Sequence, residues 1–214
     1  MRTKSLLLAA VLGVATVASS LAQVFSVNIV GYINKALPVG FSMVANQLNA
    51  TPDNKVTTLF TAAAVEGMTI YKFNAATGGY VNVAFVDGVW EGDATMTLNP
   101  GEGAFVYTPA AATATFVGEV QLVSSVPVPA GFSILSSVIP QKAALDTGLG
   151  MPVGEGDTVY QYNPATGGYT QNAFVDGVWE GAGGGAAPQP DVAEAFFYRN
   201  AGAAKTWDRT FTVN

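Results

Sequence analysis

The sequence predicts an all-β protein: two tandem units of about 90 residues, sandwich-like or barrel-like, related by internal duplication and carrying little helix. Three observations predict it. The nonapeptide Ala84 to Gly92 recurs letter for letter as Ala173 to Gly181. Several short runs alternate apolar and polar residues at period two, the pattern of half-buried strands. Asp87-Gly88 and Asp176-Gly177, each flanked by apolar residues, carry the strongest short-range hairpin signal.

The repeat extends well beyond the nonapeptide. Leu37 to Met43 matches Val128 to Ile134, Ile70 to Tyr80 matches Val159 to Tyr169, and Glu102 to Phe105 matches Glu194 to Phe197. The offset drifts only from 89 to 92 residues, so insertions fall in loops. A unit of that length is too long for a solenoid repeat and suits a small domain. Phe25, Val27 and Ile29 lie opposite Phe116, Gly118 and Val120, and Thr210-Phe211 echoes Thr115-Phe116. Residues 113–123 therefore close the first unit and open the second, giving units over 23–120 and 121–214.

The elements follow in order. Phe25, Val27, Ile29 and Ile33 alternate with Ser26, Asn28 and Asn34 in a first strand, and a second spans 41–46. A short helix is expected within Asp53 to Ala64, with Asp53 as its cap; its counterpart over Lys142 to Leu149 is interrupted by Gly148. A three-stranded meander follows over 68–73, 79–86 and 89–91. Its first loop, Asn74 to Gly79, offers Gly78 or Gly79 for positive φ, and its second is the Asp87-Gly88 turn. Strands over 103–108 and 113–123 complete the unit. A further strand at Thr95 to Asn99 is replaced in the second unit by the loop Ala182 to Pro188.

Composition narrows the chemistry. Of 214 residues 50% are hydrophobic and only 11% charged, against roughly 25% charged in ordinary soluble domains. With no Cys and no His, the chain cannot form a disulfide, a thiolate or imidazole metal site, or a mechanism resting on a His base. The net charge of -6 provides no basic footprint for nucleic acid. Arg2 and Lys4 precede an apolar run from Leu6 to Val17, and small residues at Ser20 and Ala22 mark a cleavage point. Residues 1–22 read as a signal peptide, so the protein is expected to be secreted, outside the cell or in a periplasm. Losing Arg2 and Lys4 with that leader takes the net charge from -6 to -8. No later segment is long and apolar enough to span a bilayer.

Candidate functional residues are few. Asp87, Glu91, Asp93 and Glu102 cluster in sequence; two carboxylates across a cleft would suit glycoside hydrolysis, and Asp87, Glu91 and Asp93 on a loop would suit Ca²⁺, the one cofactor considered. The structural reading is preferred: Asp87 and Gly88, like Asp176 and Gly177, serve turns, and Asp93 has no acidic counterpart at Ala182. Glu102 and Glu194 hold matching places where a carboxylate accepts backbone N–H bonds. Trp90 and Trp179, with Tyr80 and Tyr169, are candidate platforms for sugar rings, the alternative being that such aromatics pack a core. Gly183 to Gly185 lacks the Lys and the helix of a phosphate loop.

The pattern Ser26-Val27-Asn28, Val30-Gly31-Tyr32, Gly40-Phe41-Ser42, Val44-Ala45-Asn46, Tyr71-x-Phe73 and Asn99 to Phe105 resembles uncharacterised secreted β-modules of Verrucomicrobia-type bacteria. The resemblance spans nearly the whole mature chain, implies export and a β fold, and carries over no catalytic residue. The expectation is a non-enzymatic structural and interaction protein of the cell envelope or extracellular matrix, whose partners are other envelope or extracellular components. The alternative is a carbohydrate-binding module with duplicated aromatic sites for a glycan. The boundary strands at the two ends suggest a homo-oligomer or filament built by head-to-tail strand addition.

Overall fold

The computed structural model describes residues 29–212. The leader over residues 1–22 and the first strand's start at Phe25 lie outside them. In the first unit, strands run over Val30–Leu37 (β1), Gly40–Val44 (β2), Thr69–Asn74 (β3), Gly79–Val86 (β4), Val89–Gly92 (β5), Ala104–Thr108 (β6) and Ala112–Glu119 (β7). In the second they run over Val123–Val128 (β8), Gly131–Leu135 (β9), Thr158–Asn163 (β10), Gly168–Val175 (β11), Val178–Gly181 (β12), Phe196–Asn200 (β13) and Lys205–Thr210 (β14). The first unit pairs β2-β6-β3-β4-β5 in one antiparallel sheet and β1-β7 in a ribbon. The second repeats the scheme strand for strand, as β9-β13-β10-β11-β12 and β8-β14.

The expected 113–123 strand is two strands. β7 ends at Glu119, and β8 begins at Val123 as the partner of β14. The described parts of the two terminal strands from which the sequence draws a filament are paired inside the chain, and residues 23–28 and 213–214 lie outside the described residues. β1 pairs with β7 along all eight of its residues, and β14 pairs with β8 throughout. The ribbons also correct one alignment. Leu37 opposite Ala112 corresponds to Val128 opposite Lys205, which sets Phe116 level with Arg209 and places Phe211 two residues further on.

Both Asp-Gly pairs are two-residue hairpin loops with left-handed φ at each position: 50° and 79° at Asp87 and Gly88, 51° and 77° at Asp176 and Gly177. They close Val86 on Val89 and Val175 on Val178, and their twist matches that of the strands they join. Each turn is held from outside by a repeated carboxylate. Glu66 accepts the Asp87 N–H at 2.9 Å, and Glu155 accepts that of Asp176 at 3.1 Å. At the Asn74–Gly79 loop it is Gly78 that takes positive φ, at 69°.

The single helix among the described residues (α1) is one turn, Val56–Leu59, with Lys55 rather than Asp53 at the N-cap position and no side-chain capping bond from it. Asp53 instead accepts the Lys55 N–H at 3.2 Å. Its counterpart forms only turns. The expected strand at Thr95 to Asn99 reduces to one bridge, Lys55 to Thr97. No helix among the described residues is long and apolar enough to cross a membrane.

Each unit folds its ribbon over one face of its sheet. The first core joins Ile33, Leu37 and Phe116 of the ribbon to Ile70, Val83 and Val106 of the sheet and Val56 and Phe60 of the helical turn. The second core joins Val126, Val128 and Trp207 to Leu135, Val159 and Tyr198. Strand alternation sends the intervening residues to the opposite face, where Met43, Ala45 and Phe105 meet Ile134 and Ala195 in a third cluster between the units.

The junction is close to two-fold symmetric. Val44 bridges Glu194, and Leu135 bridges Glu102. Ala45 N–H donates to Ala193 at 3.2 Å, and Ser136 N–H donates to Gly101 at 3.0 Å. At its centre a Cβ on Gly103 would overlap the methyl of Ala195, so the junction accepts one methyl where two equivalent positions face each other.

Candidate functional site

The face of each sheet turned away from its own core is aromatic. Phe41, Tyr71, Phe73, Tyr80 and Phe105 in the first unit correspond to Phe132, Tyr160, Tyr162, Tyr169 and Phe197 in the second. With Tyr107 they make eleven rings in one continuous network, neighbouring centroids 5.1 to 6.4 Å apart and mostly tilted or edge-to-face. That geometry sets ring edges against the electron-rich faces of their neighbours. The strands explain the placement. Ile70 and Val106 point into the first core, so Tyr71, Phe73 and Phe105 point out of it.

The network opens to solvent in two lobes related by the same pseudo-two-fold axis. One, of about 650 Å³, is walled by Phe132, Tyr160, Tyr169 and Phe197, with Phe73 contributed by the other unit. The second, of about 390 Å³, is walled by Phe41, Tyr71, Tyr80 and Phe105, with Tyr162 and Tyr169 contributed across the junction. Neither lobe has a charged residue in its wall among the described residues. Phe41, Tyr80, Phe132 and Tyr169 are each between 41% and 48% exposed, unusual for rings of that size packed on one another. Burial raises the phenol pKa of Tyr80, with Tyr169 adding to it, and burial also raises that of Tyr169, with Tyr162 adding to it. Both hydroxyls therefore stay neutral hydrogen-bond donors.

The four aromatics expected as ligand platforms thus separate. Tyr80 and Tyr169 stand on this face. Trp179 is only 4% exposed, sits in the second core beside Phe174, and donates its indole N–H to Asp146 at 2.8 Å. Trp90 packs on the first core against Phe85. The tryptophans belong to hairpins folded onto cores, because Trp90 and Trp179 lie on the strand faces that turn toward the interior.

Among the described residues no three Asp or Glu side chains converge. Asp87 occupies its turn, Glu91 projects from β5 into solvent, and Asp93 accepts the backbone N–H of Thr95 at 2.9 Å and its hydroxyl at 2.5 Å. Glu102 accepts the Asn99 N–H, and Glu194 that of Asp191, both at 2.7 Å. Their second oxygens differ: Glu102 pairs with Lys72 at 2.8 Å, whereas Glu194 accepts the Gln161 amide at 3.0 Å.

One buried titratable cluster escaped the sequence reading. Asp157, at 1% exposed, accepts from the Gly154 and Ala201 N–H groups, from Lys205 Nζ at 2.5 Å and from the Tyr198 hydroxyl. Burial pushes the Asp157 carboxyl up, but the hydrogen bonds from Lys205, Tyr198 and the two backbone donors outweigh it and hold the group below its usual value. Burial, then the hydrogen bond to Asp157 and the charge of that carboxylate, drives the Tyr198 phenol far upward. With four donors on one carboxylate the cluster is saturated, and it braces the second core.

The aromatic face also went unread as a surface, although Tyr71, Phe73 and Phe105 and their counterparts were all visible in the aligned repeats. The signal is aromatic residues recurring on the side of a strand that alternation assigns to solvent. No family model, no curated protein and no solved structure matches this chain.

Proposed function

We propose that this is an exported, non-catalytic interaction protein that holds an uncharged, apolar stretch of polypeptide in its two aromatic lobes. The observation that supports the reading is a pair of equivalent, partly exposed Phe and Tyr lobes with no charge in their walls, on a chain whose net charge is -6. A charged partner segment would lose its hydration there without gaining a counter-charge. Tyr and Phe supply large contact area with few rotors to order, and the Tyr80 and Tyr169 hydroxyls can donate to carbonyls of an extended chain. Two neighbouring lobes let a weak single contact add to a second without a new association step.

The test is an array of extended peptides, uncharged and charged, probed with the mature protein and with a Tyr80→Ser/Tyr169→Ser variant. Binding is expected on uncharged apolar peptides and is expected to fall about tenfold or more in the variant, since large aromatic contacts dominate such surfaces. Binding unchanged by the substitutions, or binding that tracks peptide charge, would overturn the reading. Export is tested by N-terminal sequencing of the protein from its native location, where Gln23 is expected as the first residue.

A further inference from the structure

Beside the aromatic face, on the other side of Tyr162, lies a cleft of different chemistry. We propose that this cleft binds a neutral saccharide unit. It has a volume of about 360 Å³ and lies between β1–β2 of the first unit and β10–β11 of the second, with the turn before β13 at its rim. Its volume is at the lower end of small-molecule sites, which run from about 300 to 1,000 Å³.

The first observation is an unpartnered polar atom. Ser42 is 4% exposed, forms part of the cleft wall, and its hydroxyl has no hydrogen-bond partner in the protein. Its counterpart Ser133 shares this, so the unpaired hydroxyl is a feature of the repeated strand, and what sets this cleft apart is the room and the polar groups beside Ser42. The second is the set of groups around it. Gln161, Asn163 and Thr170 present amides and a hydroxyl that both donate and accept, and the Tyr162 ring forms an apolar wall. Alternating hydroxyls and C–H faces on a sugar ring match such a mixture.

The charges favour a neutral ligand. Asp191 is paired with Lys142 at 2.5 Å, and Glu194 already accepts the Gln161 amide and the Asp191 N–H. A cation would find both carboxylates engaged, and an anion drawn to Lys35 would meet those same carboxylates across the cleft.

The pseudo-symmetric mate supplies an internal control. There Ser133 also has an unpartnered hydroxyl, but the space is only about 150 Å³. Val126 and Pro127 replace Lys35 and Ala36 in its wall, and Lys72 replaces Gln161 and closes on Glu102. One of the two equivalent places is open and polar, the other shut.

The experiment uses the full chain, with cellobiose, maltose, xylobiose and chitobiose titrated while the Gln161 and Asn163 side-chain amides are followed by NMR. At least one disaccharide is expected to move both amide signals. Gln161→Ala/Asn163→Ala is expected to weaken that binding about tenfold, the loss of one or two hydrogen bonds to a neutral ligand. Ser133→Ala should leave it unchanged. Melting temperatures identify any variant that fails to fold, in which case Thr170→Val replaces it. The proposal is overturned if no disaccharide moves the amides, if affinity is the same in the cleft variants, or if glycylglycine or inorganic phosphate binds in preference. Because Tyr80 neither lines the cleft nor packs on its Tyr162 wall, the single variant Tyr80→Ser reads loss of peptide binding separately from loss of saccharide binding.

Discussion

Beneath its sheet the first unit buries Met68 and Val106, with Ala112 at the ribbon edge; at the corresponding three places the second unit has Asp157, Tyr198 and Lys205. A second exchange concerns size. Ala114 and Phe60 in the first core become Trp207 and Leu149 in the second, a large ring moving from the helical segment to the ribbon while the indole N–H finds the Leu149 carbonyl at 2.9 Å. Through both exchanges the seven-strand pairing and both hairpin loops are retained. Strand register and turn geometry therefore carry the fold. The interior accepts apolar or ionic fillings, and sets of different side-chain size, provided that the introduced charge is paired.

The largest expected break in this comparison comes from the ionic filling. Asp157→Ala leaves the Lys205 ammonium and the Tyr198 hydroxyl facing an empty place and should cost about 3 to 5 kcal/mol in urea unfolding. Transplanting the first unit's trio, Asp157→Met with Tyr198→Val and Lys205→Ala, should recover part of that loss, since it removes the unpaired polar groups but fills less space than the ionic set. If it does not, the two interiors are not interchangeable. The same group makes the protein acid-sensitive. Its folded pKa is lowered, so its contribution is complete above the ordinary carboxylate value of about 4 and is lost as pH falls through the lower folded value. Stability measured against pH should flatten in that range in Asp157→Asn; an unchanged slope would assign the acid sensitivity elsewhere.

Next in size is the junction. Gly103→Ala drives a methyl into Ala195 and Ile134 and should cost about 1 to 3 kcal/mol. Adding Ala195→Gly should restore much of it by moving the single methyl to the other side of the pseudo-axis. Failure of that rescue would show that the two sides are not equivalent. Smaller still are the hairpins. Gly88→Val and Gly177→Val meet no neighbouring atom and are penalised only by their positive φ, each by roughly 1 to 2 kcal/mol. Asp87→Asn should be nearly neutral, as Asn tolerates that conformation. Unequal melting shifts for the two glycine variants would sharpen the comparison by showing that the repeated turns bear different loads. The smallest effect is Lys72→Gln, which converts the Glu102 ion pair into the second unit's Gln161–Glu194 contact; a half-exposed pair of this kind is worth under about 1 kcal/mol.

Features within reach of a few neighbouring residues were legible in the chain. The Asp-Gly hairpins, the meander, the weakness of the helix and the carboxylates of Glu102 and Glu194 turned onto their own loops all follow from contacts at most a few positions apart. What the chain did not show depended on distant partners. The 113–123 segment reads as one strand until Val123 finds β14, and the terminal strands look free until β1 meets β7, more than seventy residues away. Trp90 and Trp179 look like exposed platforms until their hairpins fold onto separate cores. Asp157, Tyr198 and Lys205 are unremarkable in a sequence that separates them by up to 48 residues.

By itself the sequence determined the repeat, the strands and their turns, because alternation and φ preferences act locally and recur wherever the same residues recur. Only the tertiary structure decided which face of each sheet is core and which is junction. It thereby gathered the outward aromatic rings into two lobes and opened one polar cleft of an equivalent pair. Those sites lie between units, where the surface depends on how two already folded sheets pack rather than on the local preferences of either.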